Sequence, residues 1–435
     1  MPVMENWRFT ARAVVSVLVV ASAAGSASVA SADSSPPHRA LVGACLGDPG
    51  DVVAVRDLFP ASRVLDARVQ SLRGRPGRAR HVLGLASGDE LRLVRIFPGG
   101  RLRRITVEHH AVGPGTVLRP RTAVAADGNC REIETRRITY GPDAKAAHLS
   151  VIRGGVQIDT PLNPAVPAGR DPGGVLVAVI DTGVNYELPN VTARLARDDD
   201  GALVGYDFWD DDDRPFDLDT GRSAFFPLHH GTAVTSIILR EAPSARIAPY
   251  RFPRPDMTRM DDVIGHAARA GARIVNLAMG SNRPTDWEAF EAAARSHPHM
   301  LFVVSAGNDG RDIDTVPVYP AALDLDNMIT VTSADSFGKL ADGSNWGRRH
   351  VDVMVPGERV PVIDHRGVRT QASGSSFAVP RVSALAARWL DIHPTWAAAD
   401  LKRALLSRAR PSPRQPTLPV RHGWIPDPTD DFLAK

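Results

Sequence analysis

Three short segments carry the residue types of acyl-transfer chemistry, in the order acid, base, hydroxyl. Val177-Ala178-Val179-Ile180-Asp181-Thr182-Gly183 ends an apolar run on a carboxylate. His230-Gly231-Thr232 supplies an imidazole, and Gly374-Ser375-Ser376-Phe377-Ala378-Val379-Pro380 supplies a hydroxyl. A serine hydroxyl is a poor nucleophile until a base takes its proton. Imidazole titrates near neutral pH, so His230 can be that base. It needs an acceptor that fixes its tautomer and stabilises the imidazolium, and Asp181 suits that role. Each segment alone has an ordinary reading: a turn after a strand, a satisfied or exposed histidine, a helix cap. Their ordered co-occurrence at junctions between apolar runs and turns or helices favours chemistry.

The groups must be positioned by the elements around them. From about residue 145, short apolar runs at 175–180, 246–250, 274–278, 301–305, 328–332 and 351–355 alternate with amphipathic stretches. Helices are expected after His230 to about Leu239, and over 261–270, 287–296, 376–390 and 396–407. This predicts an α/β fold: a mostly parallel sheet with helices on both faces. Active groups in such sheets gather at the carboxyl ends of strands, where Asp181 and the Ser305-Ala306-Gly307-Asn308 turn fall. Gly231 leaves room beside the histidine. Ser376 is expected to open a helix after Gly374, placing its oxygen near the positive end. Pro380 then belongs near the first turn, where a missing N–H costs least.

The rest of the chain of 435 residues, 43% hydrophobic and 23% charged, divides around this region. Arg8 and Arg12 precede an apolar run over 13–24 and Ala30-Ser31-Ala32, the pattern of a cleaved secretory signal over 1–32. That run is short for a bilayer span, so stable membrane insertion is not expected, an uncleaved anchor being the alternative. The expected location is secreted or periplasmic. Residues 33–140 form a smaller β-rich N-terminal domain behind a flexible leader at 33–39. Leu91, Leu93 and Ile96 partly alternate with arginines, Pro98-Gly99-Gly100 turns, and Leu102, Ile105 and Val107 follow, a hairpin with one wet face. Gly141-Pro142 marks a boundary before a domain over 141–410, and 411–435 is a proline-rich tail expected to wrap the surface. An oxidising compartment favours pairing Cys45 with Cys130, two free thiols being the alternative. With no later cysteine, a cysteine nucleophile or Cys-ligated zinc is excluded beyond Cys130. A net charge of +3 without a recurring aromatic and basic stripe argues against a nucleic-acid partner.

The region from about 145 to 410 resembles the catalytic domain of the subtilisin-like serine proteases, the subtilases. Gly205-Tyr206-Asp207-Phe208 resembles the stretch before the family histidine, and 270–280, through Asn276-Leu277-Ala278-Met279-Gly280, looks like the family's substrate strand. Ser305-Ala306-Gly307-Asn308 is similar to the turn whose asparagine completes the oxyanion hole. Ser344-Asn345-Trp346-Gly347 and Val355-Pro356-Gly357 fall at matching turns. The resemblance implies a secreted serine endopeptidase acting on protein or peptide substrates through an acyl-enzyme. Asp181, His230 and Ser376 would form the triad, and Asn308 would donate to the oxyanion with the Ser376 backbone N–H. Ala278, Met279, Gly280, Ser305, Ala306 and Gly307 would bind substrate. No cofactor is required. Residues 33–140 stand in the place of a propeptide, an inhibitor and folding aid cut off near 138–150, although a retained, disulfide-stapled domain fits as well.

The chain departs from the family at Ala233, where a second histidine is usual; at Ala278, where many members have serine; and at Ser375, in place of a frequent threonine. His229 precedes the histidine motif, but Gly231-Thr232 favours His230 as the base. The acidic stretch from Asp207 to Asp219 reads as a structural calcium loop, as a recognition site for basic side chains, or as a solvated loop, and no ligand is assigned. Besides acyl transfer to an amine in place of water by the same residues, two rival functions remain. One is an aspartic protease built on Asp181-Thr182-Gly183 and Asp219-Thr220-Gly221. The other is a non-catalytic binding protein that retains the fold.

Overall fold

The computed structural model describes residues 35–47, 51–72, 75–142, 145–415, 417 and 419–430; the expected signal segment at 1–32 lies outside them. Among the described residues, no helix is long and apolar enough to cross a membrane.

The N-terminal layer is an antiparallel sheet of eight strands in sequence order: β1 (Arg63–Leu72), β2 (Arg75–Gly84), β3 (Glu90–Ile96), β4 (Arg104–Val112), β5 (Leu118–Asp127), β6 (Glu132–Tyr140), β7 (Ala146–Arg153) and β8 (Val156–Pro161). The hairpin read around Pro98 is β3–β4, with Leu93 opposite Val107. Helices α1 (Pro36–Leu46) and α2 (Val53–Leu58) cover one face. There Ala40, Leu41 and Ala44 pack against Leu83, Leu91, Leu93, Ile105 and Val107. The leader is therefore not loose from Pro36 on. Prolines in the first turn start α1 because their fixed φ suits a helix and their missing N–H is not needed there. Cys45 and Cys130 are joined, tying α1 to the turn between β5 and β6. The sheet also runs past Gly141-Pro142. That pair makes a turn between β6 and β7, which pair with each other. The described residues of the window 138–150 are thus strand to Tyr140, a turn at Gly141-Pro142, and strand again from Ala146, and the junction with the next layer lies after Pro161.

The second sheet is all parallel, in the order β10-β11-β9-β12-β13-β14-β15-β18. Its strands are β9 (Leu176–Asp181), β10 (Tyr206–Asp207), β11 (Arg246–Arg251), β12 (Ile274–Leu277), β13 (Leu301–Ser305), β14 (Met328–Ala334), β15 (Val353–Pro356) and β18 (Gly423–Trp424). A small hairpin, β16 (Val360–Ile363) and β17 (Arg369–Ala372), lies apart. Successive residues of a strand point to opposite faces. Accordingly Val177 and Val179 pack beneath α4 (Gly231–Glu241), α7 (Ser375–Ile392) and α8 (Ala398–Ser407). Leu176, Ala178 and Ile180 pack on the other face, with α5 (Met260–Arg269) and α6 (Glu288–Ser296). A single turn, α3 (Pro189–Thr192), follows β9. Both faces being covered explains why these strands are mostly apolar, with Asn276 of β12, Ser305 of β13 and Thr330, Thr332 and Ser333 of β14 as buried polar exceptions. The tail does more than wrap: β18 extends the sheet edge, with Ile425 buried beside it.

The two layers dock through one loop. Phe225, fully buried, sits among Ala123, Ile138, Leu149, Leu162 and Leu218. Arg136 donates to its carbonyl at 2.7 Å, and Ser223 donates to Glu108 at 2.6 Å. Phe225→Ala should cost about 3–5 kcal/mol, the usual range for emptying a buried aromatic site. The expected readout is a lower urea midpoint; an unchanged midpoint would contradict this docking.

Candidate active site

Chain order sends β9 to β11 on one side and to β12 on the other, so the strand order reverses at β9. Ligand sites of open α/β sheets lie outside the strand carboxyl ends at such a reversal. Asp181 is the last residue of β9, and Ala278 follows the end of β12. His230 caps α4, which starts beside that point. A Cβ on Gly231 would lie 2.0 Å from the Gly183 carbonyl, so only glycine lets the helix start this close to the acid's turn.

The imidazole and carboxylate meet: His230 Nδ1 lies 2.8 and 2.9 Å from the two oxygens of buried Asp181. The contact assigns the proton to Nδ1 and leaves the Nε2 lone pair free. Burial disfavours the charged ring, but Asp181 outweighs it, helped by Asp217 and Asp219, and the His230 pKa is raised above 6.5. A raised folded-state value stabilises the fold below pH 6.5, and that contribution fades as pH rises through the raised value.

The residue that sequence reasoning passed over is Asp217, fully buried. One oxygen accepts from Thr182 Oγ1 at 2.6 Å and from the His230 backbone N–H at 3.0 Å. The other accepts from the Thr232 N–H at 2.9 Å and from the Thr232 hydroxyl. Thr182 Oγ1 in turn accepts from the Gly231 N–H at 2.9 Å. Asp217 therefore bolts the acid's turn to the first turn of the base's helix. Its signal was present in Phe216-Asp217-Leu218, a lone carboxylate between apolar residues, but the surrounding acidic run concealed it.

Ser376 stands in the first turn of α7. The helix begins at Ser375, one residue earlier than expected, so Pro380 falls in the second turn. Its missing N–H lies opposite the Ser376 carbonyl, which loses its usual helical partner. The Ser376 hydroxyl donates to the Ala278 carbonyl at 3.2 Å. The neighbouring Phe377 ring lies 5.4 Å from the His230 ring, centroid to centroid. Asn308 Oδ1 accepts from the Ser375 N–H at 2.8 Å and its hydroxyl at 3.0 Å, which fixes the Asn308 amide at the start of the helix. Gly374 passes tightly here, with φ 137° and a Cβ position 3.2 Å from Asn308 Oδ1.

The expected substrate residues divide. Met279 is half-buried and Gly280 exposed beyond β12. Ser305 instead turns inward to the Ser375 hydroxyl at 2.7 Å and accepts from the Gly307 N–H at 3.2 Å, and Ala306 is core. Ser305, Ala306 and Gly307 thus brace Ser375 and the Asn308 turn from behind.

The acidic stretch is answered from within the chain. Arg251 bonds Asp207 at 2.8 Å and also Asp210; Lys145 reaches Asp212 at 2.7 Å, and Arg259 reaches Asp211 at 3.0 Å. Burial pushes Asp207 up to about 6 even so. Carboxylates already bonded to cations are a poor donor set for calcium. Asp217, His229 and His365 cluster, but the two rings stack 3.7 Å apart at 10°, which keeps their lone pairs parallel and not convergent on one ion. Asp219 accepts from the Gly221 N–H at 2.8 Å within its own turn, while Asp181 faces an imidazole, so the aspartic dyad is not assembled.

The subtilase family profile matches residues 173–424, more than half of the chain. The chain belongs to the subtilase family. Its subtilase region is 30% identical over 225 residues to a thermophilic serine proteinase of Bacillus sp. strain AK1, covering 48% of this chain and 51% of that protein. It is 28% identical over 236 residues to the halolysin-like extracellular serine protease Nep of Natrialba magadii, covering 51% and 40%. The chain spans about half the length of the curated relatives it matches. A crystal structure of a cold-adapted subtilisin-like serine proteinase superposes with TM-score 0.48 at 25% identity, over 61% of this chain and 93% of that one.

Within this subtilase, Asp217→Asn should destabilise by about 2–3 kcal/mol. Each Asp217 oxygen accepts a fixed backbone N–H, so either orientation of the amide sets a donor against a donor. Urea denaturation checks the cost. A titration of His230 followed by NMR should place its pKa lower in the variant, because a carboxylate that raised it is gone.

Proposed function

We propose that this chain is a serine endopeptidase that hydrolyses peptide bonds through an acyl-enzyme. The observation that carries the reading is the Asp181–His230 pair beside a serine at the start of α7. Rotation about the Ser376 Cα–Cβ bond moves the hydroxyl from the Ala278 carbonyl toward His230 Nε2; such bonds commonly form only once substrate is bound. The oxygen attacks the scissile carbonyl while Nε2 takes its proton, and Asp181 holds the imidazolium. The oxyanion is met by the Asn308 side-chain N–H and the Ser376 backbone N–H, a donor left free in the first turn. His230 returns the proton to the departing amine, the C–N bond breaks, and water repeats the sequence on the ester. Residues 278–280, which run on from the end of β12, offer backbone groups for the extended substrate.

Export to the cell exterior or periplasm is supported by the Arg8, Arg12 and 13–24 pattern, by the joined cysteines, and by a relative named as extracellular. The N-terminal sheet fits a retained layer better than a discarded inhibitor, because among the described residues its hydrogen bonds to the other layer fall on the loop 210–226 and not on Ser376 or Asn308.

A fluorophosphonate probe should label the full chain at Ser376, and Ser376→Ala should abolish labelling; label elsewhere would defeat the reading. Asn308→Ala should lower kcat about 10²–10³-fold with KM little changed, the size such a loss has in subtilisin. Because a neutral imidazole is the base, kcat/KM should fall as pH drops through a value above 6.5. Asp181→Asn should move that limb downward; a limb below 6.5 in the unaltered chain would contradict the geometry.

A further inference from the structure

A cavity of about 300 Å³ lies at the end of the parallel sheet away from the catalytic groups. Asp181 and Ser305 close the carboxyl ends of their strands. This cavity is instead floored by Met328 and Thr330, where β14 begins, and by Asp352, which precedes β15. Three permanent cations line it: Arg349, Lys402 and Arg421. Separate contacts hold each in place. Asp314 accepts the Arg349 and His350 backbone N–H groups at 2.9 and 3.1 Å. The Arg421 N–H donates to the Val351 carbonyl at 2.8 Å. Lys402 stands on α8, with Nζ 3.4 Å from the Leu325 carbonyl. Among the described residues neither guanidinium is bonded to a carboxylate. The acid on the floor is only half used. Asp352 is 8% accessible, and one of its oxygens accepts from the Thr330 N–H at 2.8 Å. The other has His422 Nε2 at 3.8 Å, beyond hydrogen-bond reach.

We infer that this cavity binds a phosphate group that retains a proton, either the free ion or a phosphate monoester. Planar guanidiniums match the geometry of phosphate oxygens, and the three cations outnumber the two carboxylates of the lining, Asp324 and Asp352. An ionised carboxylate only accepts hydrogen bonds, so the second Asp352 oxygen selects an anion that brings an O–H to it. Sulfate has no such proton and would set oxygen against oxygen. An ammonium ligand is opposed by the cations around the floor. Lys402, His422 and Arg421 all act on Asp352, yet burial holds its pKa above the ordinary carboxylate range. A carboxyl group of that kind shares a proton readily with a bound oxyanion. His350 is committed elsewhere, its Nδ1 standing 2.9 Å from Asp314. Arg349, Arg421 and Asp324 are exposed at the rim, which leaves room for an ester substituent. Lys402 belongs to α8 and Arg421 lies just before β18, so an occupied cavity fastens the C-terminal tail to β14 and β15.

The full chain carrying Ser376→Ala, a change that removes any self-digestion, is titrated by calorimetry with inorganic phosphate, glycerol 3-phosphate and sulfate. At about pH 6 a phosphate monoester keeps its second proton on roughly half of the molecules. A phosphate ligand should bind and should raise the melting temperature as its concentration rises. Sulfate should bind about a hundredfold more weakly, because a site built around a ligand O–H penalises its absence. Arg421→Met, at an exposed position, should weaken phosphate binding about tenfold or more. Asp352→Asn keeps an acceptor for the Thr330 N–H and presents an amide donor in place of the second oxygen. Sulfate should then bind as well as phosphate. Circular dichroism checks the fold of each variant, and if Asp352→Asn fails to fold, Arg421→Met and the phosphate-to-sulfate ratio of the parent chain still decide. Binding of the ester alone, or of the free ion alone, assigns the source of the phosphate group. Equal affinity for phosphate and sulfate in the parent chain overturns the inference, and so does the absence of binding by both phosphate ligands.

Discussion

A buried negative charge with both oxygens saturated by donors is the constraint on which the site depends. Asp217 sits in the interior, and an ion there is costly unless fully hydrogen-bonded. Two threonine hydroxyls and two backbone N–H groups meet that demand, and they come from the segment carrying the acid and the segment carrying the base. Satisfying the charge and assembling the acid–base pair are therefore one event. A displaced His230 would leave an orphaned carboxylate, so the geometry has a steep local well.

The same economy of contacts holds on the nucleophile side. Asn308 caps the first N–H of α7, Ser305 braces the Ser375 hydroxyl, and Gly374 leaves space for both. Ser305 and Ser375 are buried, whereas Asn308 stands exposed at the cleft side of the turn. They fix where the Ser376 backbone N–H points, which matters because a preorganised donor is worth far more than one that must turn to meet the charge.

Sequence pattern revealed much of this molecule for physical reasons. The parallel sheet was legible because strands covered on both faces, such as 301–304, must be largely apolar. The element ends at Asp181, His230 and Ser376 were legible because a polar residue there breaks the pattern. Asp217 was not, because its meaning comes from Thr182 and Thr232, distant in sequence and silent in composition. The inward turn of Ser305 was hidden for the same reason: a side chain next to a strand end can face core or cleft, and only packing decides. The layer boundary was misplaced because Gly141-Pro142 marks a turn equally well within a sheet as between sheets.

The seating of Phe225 has a practical corollary. That ring belongs to the subtilase half, yet its pocket is built from β5, β6 and β7. A shortened product starting near residue 165 would present Leu218, Phe225 and Phe226 to water, an invitation to self-association. Anyone wishing to handle the trimmed half would do better to coexpress residues 35–161 as a separate polypeptide, letting the two pieces reunite, than to dilute the fragment alone.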